Sequence, residues 1–174
     1  MTYARKGVRQ GELEKYASEI RFHCQETSLN LLVGLEITCP RTRNELHNIF
    51  DIIRRIQLEV LLVEYVNSLN DLLMLIPLRL AYPSLLIGLA HPRLDVNKTE
   101  RPYFTNILEN LEMFIDLNED KAFYEYYKSN YTFFAEETNV SFALGSDSHD
   151  GILVGKFPTA LRFLYDHQAL DKLI

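Results

Sequence analysis

The residues able to do chemistry in this chain gather at the ends of its apolar runs. Glu36 lies at the end of the run 30–37 (NLLVGLEI), and Glu64 and Asn67 lie at or just past the end of 59–66 (EVLLVEYV). His91 follows 85–90 (LLIGLA), and Asp116 and Asn118 stand at the end of 112–117 (EMFIDL). Gly145-Ser146-Asp147-Ser148-His149-Asp150 follows 140–144 (VSFAL). Carboxylates and imidazoles are the ligand set of Zn²⁺, Mn²⁺ and Fe²⁺. Such an ion polarises a phosphoryl oxygen and lowers the pKa of a bound water. In His91-Pro92 the proline fixes the exit of the chain and aims the imidazole. In an extended Asp147-Ser148-His149 the two outer side chains lie on the same side and can reach one metal cluster. Structural roles compete with these readings. Glu36 also suits a loop or a helix cap, and Asp147 the N-cap of a turn. Glu64 and Asn67 fit either role. Arg93 and Lys156 can bind phosphate or serve as surface charges. His23, His47 and His167 fall on helical segments away from these ends and read as surface residues or satisfied partners.

The surrounding pattern says what must position these groups. Residues 12–27 read as an amphipathic helix, with Leu13, Tyr16, Ala17, Ile20 and Cys24 at three- and four-residue steps. The short, nearly continuous apolar runs read as strands buried on both faces. Thr42-Arg43-Asn44-Glu45 is a capping box, and it opens a helix carrying Leu46, Ile49, Phe50, Ile53 and Ile56. Further helices are expected at 69–81, 103–111 and 121–138, and a last one opens at Pro158 with Leu161 and Leu164 on its face. The stripe Phe123, Tyr127, Tyr131 and Phe134 reads as core packing. Roughly five strands alternating with six helices imply a parallel sheet with right-handed crossovers, open or closed. The carboxyl ends of all its strands then share one edge, where residues distant in sequence converge. No linker, repeat or low-complexity stretch divides the chain, so residues 1–174 are expected to form a single domain.

Composition narrows the function. A chain of 174 residues with 47% hydrophobic and 24% charged residues is ordinary globular usage, which excludes a disordered protein. The net charge of −6 is interspersed, which excludes nucleic-acid binding by bulk electrostatics. An anionic substrate therefore needs a local positive charge, such as a metal ion. The two cysteines, Cys24 and Cys39, make no disulfide framework and no Cys-x-x-Cys pair. Residues 1–10 are basic and polar, without an apolar signal core, so the sequons at Asn97, Asn130 and Asn139 read as chance and the expected compartment is the cytoplasm. The apolar stretch 72–90 is interrupted by Pro77, Arg79 and Pro83, and reads as a buried helix, a turn and a strand rather than a membrane span.

Gly34-Leu35-Glu36, Gly88-Leu89-Ala90-His91-Pro92 and Leu144-Gly145-Ser146-Asp147-Ser148-His149 occur in that order. Together they resemble three metal-binding motifs of the PHP (polymerase and histidinol phosphatase) family. The resemblance extends from about Gly11 to Leu164. It implies a distorted (βα)7 TIM-like barrel with a metal cluster, usually trinuclear, at the carboxyl ends of its strands. It also implies hydrolysis of a small phosphorylated substrate by metal-activated water. Glu36 would bridge metals, and His91, Asp147 and His149 would complete their shells. Three features of the family's pattern are not met. The His-x-His pair of the family's first strand, with the His that follows its second strand, is not found. Tyr65-Val66-Asn67 stand where a mid-chain His is expected, with Glu64 as a substitute oxygen ligand. The expectation is therefore an incomplete barrel of about five βα units with the first strands missing. It would hold Zn, Mn or Fe, in fewer than the usual three ions. Its two open sheet edges call for self-association or a partner chain. The alternative is a catalytically silent PHP-like module for binding or assembly, or one half of a split enzyme.

Overall fold

The computed structural model describes residues 10–26, 32–92, 99–119, 121–145 and 156–174. Among these residues five strands alternate with helices. They are β1 (Gly34–Thr38), β2 (Val60–Glu64), β3 (Leu86–Ala90), β4 (Phe114–Asn118) and β5 (Ser141–Gly145). All neighbours pair in parallel, in the spatial order β1-β2-β3-β4-β5. The helices are α1 (Gln10–Glu26), α2 (Arg43–Ile56), α3 (Leu69–Leu73), α4 (Ile76–Ala81), α5 (Arg101–Asn110), α6 (Lys121–Glu137) and α7 (Pro158–Asp166), followed by a 3-10 turn at Leu170–Lys172.

Strands that advance one place at a time through right-handed crossovers must all carry their helices on the same face. The packing agrees. Leu35, Leu61, Val63, Ile87, Leu89, Ile115, Leu117 and Phe142 form one core with Ala17, Ile53, Leu75, Phe104, Tyr131 and Phe163 from the helices. Because side chains alternate along a strand, the intervening residues face the other way. There Leu62, Ala90 and Phe114 form a second, smaller cluster with Val60 and Ala143. Toward the carboxyl end this second face carries Glu36, Glu64, Asp116 and Asn118. The arrangement is α/β and consistent with a partial βα barrel.

Local chemistry explains the elements. The Thr42 capping box is present, with the Glu45 amide donating to Thr42 Oγ1 and Glu45 reaching back to the Thr42 amide. Ser68 and Asp71 make a second box at α3. The helix expected over 69–81 is instead two, because Pro77 cannot donate to the Leu73 carbonyl and its ring crowds that group. Arg79, on the second of them, donates to the Leu85 carbonyl and pairs with Glu112, which accounts for a cation within an apolar stretch. Asn30 and Leu31, expected to open the first strand, lie outside the described residues. Among the described residues, no helix is long and apolar enough to cross a membrane.

Candidate metal centre

Three of the strand-end groups meet. Glu36 is the middle residue of β1 and Glu64 the last of β2, and the register pairs Glu36 with Leu62 and Thr38 with Glu64. Both carboxylates therefore fall on the face away from the helices. His91 follows β3 directly, one step beyond Ala90, which is itself paired with Glu64. Its Nε2 lies 4.0 Å from Glu36 Oε1 and 3.9 Å from Glu64 Oε1. One ligand atom from each of the three residues lies within 4.8 Å of the others. The side chains of Glu36, His91 and Glu64 are only 3%, 5% and 15% exposed.

This donor set fits a divalent ion. Ligand atoms on a common tetrahedral Zn²⁺ stand roughly 3.4 Å apart, so the imidazole would have to close on each carboxylate by about half an ångström to share one ion. Burying two carboxylates side by side is costly unless positive charge neutralises them. A cation held by the two carboxylates and the imidazole would supply that charge.

The turns that present these ligands are strained. His91 has φ 50°, and Tyr65, immediately after Glu64, has φ 59°. A left-handed residue with a Cβ costs about 1 kcal/mol, and strain of this kind collects where a site requires it. At Tyr65 the strained turn is tied down. Arg41 Nη2 donates to the Tyr65 carbonyl at 3.2 Å while Nη1 of the same guanidinium pairs with Asp71. The other Asp71 oxygen accepts from the Asn67 and Ser68 amides at 3.0 and 3.1 Å.

Beside this cluster β4 adds buried Asp116 and Asn118 on the same face. The Asp116 carboxylate fills the space a side chain at position 145 would need: a Cβ there would sit 2.3 Å from Asp116 Oδ1. A side chain at position 145 would therefore displace the Asp116 carboxylate. Gly88 gives the same room to the Phe114 ring.

Of the residues singled out from the sequence, the structure brings together Glu36, His91 and the ambiguous Glu64. Asp147, His149 and Arg93 lie outside the described residues. Lys156 is exposed. Asn67 contributes its amide to Asp71. The other histidines behave as expected: His23 is exposed, His47 Nδ1 meets the Arg43 carbonyl at 2.7 Å, and His167 pairs with Glu136 at 2.8 Å. Tyr131 and Phe134 are core residues, again as expected. The signal that separates Glu64 from a loop residue is parity, since it keeps step with Leu62 on the inner face. Compared with known proteins, the chain matches no family model, no curated protein and no solved structure.

Proposed function

We propose that the chain is a PHP-type, metal-dependent phosphoesterase domain acting on a small phosphorylated substrate. The observation that carries this reading is the buried meeting of Glu36, Glu64 and His91 at the carboxyl edge of a parallel sheet. In this reading Asp147 and His149, which follow β5 in the sequence, complete the ligand set. A divalent ion (Zn, Mn or Fe) bound there supplies a Lewis acid for a phosphoryl oxygen and acidifies water. The chain's own groups hold the ion, keep bulk water from the carboxylates, and offer Arg93 and Lys156 as positive charges for the phosphate. The buried free thiol of Cys39 accords with a reducing, cytoplasmic setting. A second reading is a silent module, or half of a split enzyme completed by another chain. It is favoured by the outer edge of β1, which pairs with no strand among the described residues.

The test is elemental analysis of the purified chain beside Glu64→Ala and Asp147→Ala, followed by a phosphate-ester screen with added Mn²⁺ or Zn²⁺. About one equivalent of transition metal, lost in both variants, is expected. Equal metal in all three proteins would remove the assigned site. Metal without turnover would favour the silent module.

A further inference from the structure

We infer that Asn130 is a positioning residue for the metal centre, holding the turn that aims His91; this rests on the metal-binding reading above. The chain leaves β3 through His91 in the left-handed region, at φ 50°. A residue with a Cβ resists that conformation, and a residue preceding proline is drawn toward extended backbone. Local preference therefore pulls the imidazole away from Glu36 and Glu64, and a tertiary contact has to oppose it. The buried Pro92 supplies the handle: its carbonyl accepts a 2.8 Å hydrogen bond from Asn130 Nδ2 on α6, 38 residues further along the chain. That part of α6 is a firm support, because the adjacent Tyr131 is fully buried and its hydroxyl donates to the Asp116 carbonyl at 3.3 Å. Asn130 thus ties the His91 turn to a helix that is itself fixed to β4.

The same device stands one strand away. Tyr65 and His91 each follow the paired residues Glu64 and Ala90, and both are left-handed. Each turn is held by a side chain donating to a backbone carbonyl, Arg41 at Tyr65 and Asn130 at Pro92. Two unrelated side chains doing one job at matched register positions fit a demand for aimed ligands. The engaged amide also gives Asn130 a structural reason to exist that its sequon does not.

The experiment is a Co²⁺ titration of the full chain, read by calorimetry and by the visible d–d spectrum. The wild type is compared with Asn130→Ala, Asn130→Ser and His91→Ala, and the fold of each metal-free protein is followed by circular dichroism. Serine keeps a hydroxyl too short to reach the Pro92 carbonyl. Both Asn130 variants are expected to fold and to bind Co²⁺ about tenfold or more weakly, with an altered spectrum, while His91→Ala abolishes binding. Wild-type affinity and spectrum in both Asn130 variants, with binding lost in His91→Ala, would overturn the inference and leave the metal centre standing. Failure of the wild type to bind, or unchanged binding by His91→Ala, would overturn both. Should the alanine variant not fold, the serine variant decides; if neither folds, Asn130 serves the fold as a whole and the inference falls.

Discussion

At the scale of single residues, burial sets what each ionisable group can do. Cys39 directly follows β1, with only 2% of its surface exposed. Burial first, and then the Asp71 carboxylate, push its thiol up to about 11 from an ordinary value of 9.0. The folded protein therefore favours the protonated thiol more than the unfolded chain does. By linkage that contribution to stability is complete below pH 9 and is lost as pH rises through 11. Alkylation by iodoacetamide at pH 8 should be slow at Cys39 in the native protein and fast after denaturation. Equal rates in the two states would mean that the thiol is neither buried nor shifted. Residue chemistry also decided what was legible beforehand. Glu36 and His91 stand where apolar runs stop, so their types and places were readable. Glu64 falls within the expected strand 59–66 and keeps step with Leu62, but a run apolar on both faces does not say which face is which, and pairing with Thr38 and Ala90 puts it on the face away from the helices. The left-handed turns at Tyr65 and His91 left no trace, because neither residue is a Gly or Asn, and tertiary hydrogen bonds impose the conformation.

At the scale of elements, the alternation of short apolar runs with amphipathic segments was enough to place all five strands. Expectation and structure differ at ends and at breaks. Strand limits moved by a few residues because hydrogen bonding, not hydropathy, ends a strand, and Pro77 divided a helix whose apolar spacing runs on through it. Caps supplied from a distance were invisible. The N-cap of α7, Phe157, offers no side-chain acceptor. Its place is taken by Glu119, just after β4, whose two oxygens accept the Thr159 and Ala160 amides at 2.9 Å each. A carboxylate at a helix N-terminus satisfies two orphan donors and complements the dipole. Glu119→Ala is therefore expected to cost about 1–2 kcal/mol, and Glu119→Gln about half as much, since one amide oxygen remains to accept. Urea unfolding of the three proteins checks this. A loss below the error of the extrapolation in Glu119→Ala would show that the cap contributes nothing.

At the scale of the molecule, the sequential strand order divides the sheet into a face given to helices and a face that carries the small apolar cluster and, toward its carboxyl end, Glu36, Glu64, Asp116 and Asn118. Among the described residues it also leaves two edge strands, which exposed backbone groups make prone to pairing with other chains. The edge of β5 is partly met from within. Leu173 bridges to Phe142, and the Ile174 amide donates to the Phe142 carbonyl at 3.0 Å. Lys172 fixes this segment, its ammonium donating to the Ala135 and Thr138 carbonyls at the end of α6. Those carbonyls belong to the last helical turn and the residue after it, where a cation also meets the negative end of the dipole. The covering segment is thus anchored to α6, so β5, α6 and the final residues should loosen together. Lys172→Ala removes two charge-assisted bonds and should cost about 1–2 kcal/mol. It should also raise hydrogen exchange at the Ile174 amide, and the freed β5 edge should increase concentration-dependent association. The β1–β2 amides, far across the sheet, should exchange as before. Faster exchange throughout the sheet would mean that Lys172 supports the global fold rather than this edge. Unchanged exchange at Ile174 would mean that the strand-like bridge at Phe142 holds the segment without the lysine.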